Sequence, residues 1–362
     1  MRVLYDGWAV ARAPNSPAAL HLFDLLSQCP QEIEPFVALP EDAGGVAWLP
    51  EGVQPIIHPS PDTPMARLRW EQRILPRLTR THACALLHTM SAAPALLSVP
   101  PTVISPTTFP HQPSVPRRGA TACLRAAIAM RAHRPRQKVL WPQDLELPQA
   151  WGQVEPLPPL IPPDFNPSEA PDAQHLASLG VTRPYVLYHG PKDDLTLRWV
   201  LAAWSWVFAS LGDAYMLVLV DCPPTQAATL MHSLQDLHLG ESLYPLPPQP
   251  PDVLASLYRG AQALFHPAGS VPWGGALRYA LACGKPIVAL ETSLSDALVG
   301  PAAYLVAERD TRLLGAALLS VLVDEELARS LRARAMERIR QWTAASDFSG
   351  RLLTAYRKLV DG

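Results

Sequence analysis

Residues 261–290, AQALFHPAGSVPWGGALRYALACGKPIVAL, constrain the fold of this chain more than any other stretch. They read as a buried strand (263–266), a loop carrying Gly and Pro, a short helix opening at Gly274 and Gly275, and a second buried strand (286–290). Strands that are apolar at every position belong to a parallel sheet covered on both faces. A loop that runs into a helix N-terminus leaves backbone N–H groups aimed outward, a ready site for phosphate. Yet between Val253 and Leu290 there is no Asp or Glu. The backbone of a phosphate site is present without carboxylates beside it.

The same alternation runs through the whole chain, which implies an α/β class with doubly wound parallel sheets. In the first half, strands are expected at 2–6, 35–39, 53–58, 84–89, 102–105 and 138–141, with helices at 17–27, 64–80 and 120–132. In the second half, strands at 185–189, 215–220 and 242–246 alternate with helices at 195–211, 225–237 and 251–260, ahead of the unit at 261–290. Between the halves, EPLPPLIPPDFNPSEAPD (155–172) is too rich in proline for a helix and reads as a connection. The expected organisation is a first domain over 1–160, a linker over 161–172 and a second domain over 173–340. A terminal helical segment over 341–362 would pack back on the first domain. The tail, at 311–342 and 346–360, is expected to be helical.

With 362 residues, 48% hydrophobic and 17% charged, the chain has the material for two well-buried cores. Its formal net charge of −2 gives no global attraction to nucleic acid, and none is expected as a partner. The longest apolar run, 199–211, falls short of the roughly 20 residues that span a bilayer. Residues 1–5 enter a strand directly with no leader pattern, and the 5 cysteines form no CxxC pair. A cytoplasmic protein with core thiols is the expectation. The 41 prolines cluster at loops and strand ends, where they stiffen connections.

The order of these features resembles the glycosyltransferases of GT-B fold, in particular family 4 of the retaining class. Members carry two glutamates eight positions apart on a strand-loop-helix unit, followed by A-[ML]-A-C-G-x-P-[VI]-V-A. Here residues 280–289 read ALACGKPIVA. LIPPDFNP (160–167), VGPAAYLVAERD (299–310) and YVLYHG (185–190) stand where the family has its inter-domain segment, the stretch after the donor site and the strand opening the donor domain. The resemblance implies two Rossmann-like domains facing across a cleft. It implies a nucleotide-sugar as substrate, and neither a separate cofactor nor a metal.

The same alignment shows where the chain departs from the family. The glutamate expected to hold the ribose hydroxyls falls on Tyr279, and the one expected near the sugar falls on Val271. A carboxylate accepts bonds from both hydroxyls of a diol, valine from neither. For the diphosphate, the resemblance leaves the amides at Gly274 and Gly275, with Lys192 as first cation and Arg198 as second. Lys192 is either that anchor or a solvated loop cation, with Asp193 and Asp194 beside it opposing phosphate. Trp273 and Tyr279 could instead stack a ring. On the acceptor side, 6–20 has prolines where a Gly-rich turn is expected, and TVISPTTFP (102–110) lacks the family's His-Asp. Ser105, Thr107 and Thr108 offer only hydroxyls there, and His88 ends a strand at the sheet edge where α/β ligands bind. His189 and His266 are each either ligands or core histidines.

From Gln72 to Gln143 the chain has no acid, while Arg73, Arg77, Arg80, Arg117, Arg118, Arg125, Arg131, Arg134, Arg136 and Lys138 fall inside that block. A phosphate-bearing acceptor or an anionic membrane surface would suit such a field, as would acids from elsewhere in the fold. A protein peripheral to the inner membrane face is the corresponding expectation. Three functions follow: transfer of a sugar from a nucleotide-sugar with retention, a non-catalytic relative serving as a binding or partner subunit, and an enzyme of this fold with a different donor.

Overall fold

The computed structural model describes residues 1–41, 44–91, 95, 100–107, 137–146, 153–227, 239, 242–269, 271–344 and 347–361. The helix expected at 120–132 lies outside them, as does most of the one expected at 225–237. The chain divides into two compact units. The first comprises Met1–Leu160, Val271–Trp273 and Ser346–Gly362; the second comprises Ile161–Ser270 and Gly274–Ala345. Each unit is an α/β domain built on one fully parallel sheet.

In the first unit, β1 (Arg2–Asp6), α1 (Trp8–Arg12), α2 (Pro17–Ser27), β2 (Glu34–Leu39) and β3 (Gln54–Ile57) come first. Then follow α3 (Pro64–Arg69), a π turn (Trp70–Ile74), α4 (Leu75–Thr81), β4 (Leu86–Thr89), β5 (Thr102–Ile104), β6 (Gln137–Pro142) and β7 (Val154–Leu157). The sheet order is β3-β2-β1-β4-β5-β6-β7, so the direction of winding reverses between β1 and β4. Val3, Leu4 and Tyr5 are fully buried at its centre. α2 starts where Ser16 Oγ accepts from the Ala19 amide, with Pro17 in the first turn.

Three departures from the sequence reading have local causes. The helix expected at 64–80 is interrupted by the π turn, because Pro76 has no N–H for the carbonyl four residues back and the turn ahead of it widens. β7 overlaps the start of the stretch read as a connection. It is an edge strand, which tolerates Pro156, and Glu155 on it lies 3.5 Å from both Lys138 and Lys358. α1 occupies 8–12, where the sequence suggests no helix. Gly7 opens it, since a Cβ there would lie 2.7 Å from the Ala38 carbonyl oxygen on β2.

The second unit runs α5 (Ala173–Ser178), β8 (Tyr185–Tyr188), α6 (Asp194–Leu211), β9 (Met216–Leu219), β10 (Leu243–Pro245), α7 (Pro251–Gly260), β11 (Ala263–His266) and α8 (Gly275–Ala282). It continues through β12 (Ile287–Leu290), α9 (Ser293–Val299), β13 (Ala303–Val306), α10 (Thr311–Val323) and α11 (Glu325–Ala344). Its order, β10-β9-β8-β11-β12-β13, reverses between β8 and β11. Residues 161–172 pack on this unit: Phe165 lies edge-on to Tyr258, and the Asp172 amide donates to Ser256 Oγ at 2.8 Å. The tail breaks at Asp324, whose carboxylate accepts from the amides of Glu326 and Leu327 and so starts a new helix. α12 (Phe348–Asp361) belongs to the first unit.

α6 with the three residues after it is long and apolar enough to cross a membrane by length and composition, longer than the run noted in the sequence. Here it lies against the second sheet, burying Leu197, Val200, Leu201, Ala203, Trp204 and Val207, with Trp204 Nε1 donating to Ser242 Oγ at 3.0 Å.

Candidate functional site

In open α/β sheets, ligands bind beyond the carboxyl ends of the strands where the winding reverses. In the second unit that point lies between β8 and β11, and the loops leaving it carry most of the residues singled out in the sequence. His266 ends β11, and the chain then passes to Gly274, whose left-handed backbone (φ 81°) precedes α8. Gly275 follows at φ 42°. α8 has no side-chain cap and no acid in its first turn, so its leading amides keep their partial positive charge. Gly274 must be glycine twice over: its φ favours no Cβ, and a Cβ would meet Arg278 Nε at 2.8 Å. Arg278 is 2% exposed, with its guanidinium 4.9 Å from the centre of the Trp342 ring. Sequence reasoning passed over this buried cation beside the helix start, although an Arg in an otherwise apolar helix was the signal.

Across the switch point, His189 follows β8 and shares a 2.8 Å hydrogen bond between Nδ1 and Tyr258 Oη. Lys192 Nζ donates to the Gly190 carbonyl at 2.9 Å. Burial pushes the Lys192 ammonium pKa down, and the charge of Asp221 opposes that shift. Burial also holds the His266 imidazole pKa down to about 4, so it is neutral at physiological pH. Its Nδ1 has no hydrogen-bond partner among the described residues.

The remaining donor-side candidates are placed differently. Arg198 is exposed on α6. Tyr279 is 2% exposed and stacks on Phe165 at 4.1 Å, with Tyr258 edge-on to it at 5.7 Å. With one face covered by Phe165 and an edge neighbour besides, it is an aromatic core residue and not a platform for a nucleotide ring. Trp273 is likewise buried, in the first unit, where its ring stacks on His21 at 4.6 Å. Val271, half-buried, belongs to that unit too.

In the first unit the acceptor-side candidates are core residues. His88 is fully buried, with Nε2 2.6 Å from Ser105 Oγ and Nδ1 2.6 Å from Tyr356 Oη. Burial drives its pKa to about 3, and both ring nitrogens are engaged. A neutral imidazole held in this way takes no proton from a substrate near pH 7. Ser105 is held by the same bond, and Thr107 is buried. Thr108 lies outside the described residues.

What sequence reasoning missed sits at the first switch point, between β1 and β4. The Asp6 carboxylate accepts from both terminal nitrogens of Arg67 (3.2 and 2.8 Å), Trp70 Nε1 (2.9 Å), the Trp8 amide (3.2 Å) and Thr89 Oγ1 (3.2 Å). Arg67 Nε donates to Glu71, which also accepts from Ser91 Oγ at 2.7 Å. Burial alone would raise the Asp6 pKa, and Arg67 with these hydrogen bonds outweighs it, leaving the carboxyl below its ordinary range. A carboxylate ending an apolar strand was the available sign.

Residues 200–338 match the family model described as Glycosyl transferases group 1. The matched stretch lies in the second unit apart from Val271–Trp273. Solved structures agree on the fold over the whole chain. WaaG, a glycosyltransferase involved in lipopolysaccharide biosynthesis, is 15% identical with a TM-score of 0.72, over 99% of this chain and 100% of that one. Sucrose-phosphate synthase from Thermosynechococcus elongatus is 17% identical with a TM-score of 0.70, over 99% of each chain. HepE from Anabaena, solved with UDP and glucose, is 15% identical with a TM-score of 0.71, over 99% of each. No curated protein matches the sequence. The fold is that of the GT-B glycosyltransferases.

Proposed function

We propose that this chain is a glycosyltransferase of the family 4 type, moving a sugar from a nucleotide-sugar to an unidentified acceptor with retention. The observation that carries the reading is the uncapped start of α8 at Gly274 and Gly275, at the switch point that also presents Lys192. When the bond between the anomeric carbon and the diphosphate breaks, negative charge builds on the phosphate oxygens. The α8 amides and the Lys192 ammonium meet that charge, and the buried Arg278 guanidinium adds to the local positive field. Because HepE is also solved with UDP-glucose, a uridine donor is the first to test.

One observation favours a second reading, a non-catalytic relative that binds nucleotide or a partner. From Val253 to Leu290 no carboxylate is available for ribose or sugar hydroxyls, and Tyr279 is committed to the core. Thermal shift with UDP, GDP, ADP and their glucose conjugates, followed by detection of freed nucleoside diphosphate, separates the two. The transferase reading expects stabilisation by one nucleotide series and slow hydrolysis of its sugar conjugate above the protein-free rate. Stabilisation without turnover supports the second reading, and no stabilisation at millimolar ligand sinks the nucleotide site.

A further inference from the structure

Residues 64–81 form one continuous helical ridge through α3, the π turn and α4. Its two sides differ sharply. Inward, Trp70, Glu71, Ile74, Leu75 and Thr79 are buried, and Arg67 reaches Asp6 and Glu71. Outward, Met65 is 63% exposed and Arg69, Arg73, Arg77 and Arg80 are all exposed. In an α-helix, steps of four residues drift by about 40° each. The wider π turn reduces that drift, and the closing step of three from Arg77 to Arg80 turns it back, so the five side chains share one face.

Among the described residues, no acid pairs with the charge on this face: no ion pair there involves Arg69, Arg73, Arg77 or Arg80. The single acid on the ridge, Glu71, points inward and is neutralised by Arg67. Among the described residues of the basic block, Arg73, Arg77 and Arg80 are exposed, and Arg69 just ahead of it extends the row. Lys138 is buried and lies 3.5 Å from Glu155, while Arg117, Arg118, Arg125, Arg131, Arg134 and Arg136 lie outside the described residues.

We propose that this ridge docks the protein on an anionic lipid bilayer. From Arg69 to Arg80 the guanidinia spread along roughly 16 Å of helix axis, a row that fits a plane of phosphates better than a single one. Guanidinium binds phosphate oxygens in paired hydrogen bonds. Met65 at the end of the row supplies an apolar side chain for the boundary between headgroups and acyl chains, which a nucleic acid would leave in water. The ridge belongs to the first unit and the candidate diphosphate site to the second.

The test is cosedimentation with phosphatidylcholine vesicles, with and without phosphatidylglycerol, and no nucleotide present. The intact protein is expected to pellet with anionic vesicles near 0.1 M salt and to be released near 1 M, where the screening length falls from about 10 to about 3 Å. Replacing Arg69, Arg73, Arg77 and Arg80 together by Gln is expected to weaken binding by about fivefold per arginine, several hundredfold in all. These side chains face outward, so the thermal midpoint is expected to stay unchanged, and Met65→Asp supplies an independent variant that weakens binding with the row intact. Equal binding to neutral vesicles, absence of binding at low salt, or retention by the fourfold variant overturns the proposal. So does tighter binding to a DNA duplex than to the anionic vesicles.

Discussion

His88 Nδ1 lies 2.6 Å from Tyr356 Oη, joining the centre of the first sheet to the last helix across 268 residues of sequence. Ser105 holds the other ring nitrogen, and Tyr356 Oη is itself 3.3 Å from Tyr5 Oη. The chain of four side chains ties β1, β4, the residue that follows β5, and α12 together inside the first unit. Tyr356→Phe keeps the ring and leaves buried His88 Nδ1 without its partner, a loss of about 1–3 kcal/mol. Denaturant titration should show a lower midpoint with unchanged slope. A variant as stable as the parent would mean that the bond contributes nothing net.

The buried histidines set the response to acid. His88 is held down to about 3 and His266 to about 4, both by burial, while in the unfolded chain each returns to about 6.5. Below that value the unfolded chain binds protons that the folded chain does not. Stability is therefore greatest above about pH 6.5 and falls as the pH is lowered toward 4, by up to about 1.4 kcal/mol per pH unit for each histidine. Asp6, held below its ordinary range, adds its loss only at still lower pH. Denaturant midpoints between pH 7.5 and pH 5, taken as about half-unit steps, should fall steadily, and His88→Gln should flatten the slope. A midpoint independent of pH over that window contradicts the burial of neutral imidazoles.

Asp6→Ala removes an acceptor used by five donors and leaves Arg67 in place with only Glu71. Losing one partner of such a buried pair costs about 3–5 kcal/mol. The companion change Arg67→Met in the Asp6→Ala background should recover part of it, since no uncompensated guanidinium remains there. Thermal denaturation of the two variants checks both directions.

Gly274→Ala places a Cβ in a left-handed backbone and against Arg278 Nε. The expected cost is about 1–3 kcal/mol of stability, with a larger proportional loss of diphosphate affinity, because the first turn of α8 must shift. Equal losses in a Gly212→Ala control, where φ is 58° and no atom crowds the site, would point to backbone strain alone.

The parallel sheets were legible in the sequence because their strands are apolar at every position, as in Val3, Leu4 and Tyr5 or in Val186, Leu187 and Tyr188. The edge strands β7 and β13 were not, since half-exposed residues such as Glu155 and Tyr304 break the pattern. The glycine-led start of α8 was readable from local chemistry, where two consecutive glycines precede a helical pattern. The fates of His88, Tyr279 and Asp6 were not. Each is decided by a partner far along the chain, Tyr356, Phe165 and Arg67, and no local spacing reports such a meeting.

The central claim is that the second switch point receives a diphosphate although Val271 and Tyr279 stand where the resemblance places two glutamates. Calorimetric titration of the intact protein and of Lys192→Ala with UDP, GDP and ADP tests this directly. One nucleoside diphosphate is expected to bind the intact protein below millimolar concentration. Removing the Lys192 ammonium is expected to weaken it by about 1.5–3 kcal/mol, the range of a hydrogen bond to a charged group, which is more than tenfold. Millimolar concentrations of all three without heat of binding would contradict the account, and so would a Lys192→Ala variant that binds as tightly as its parent.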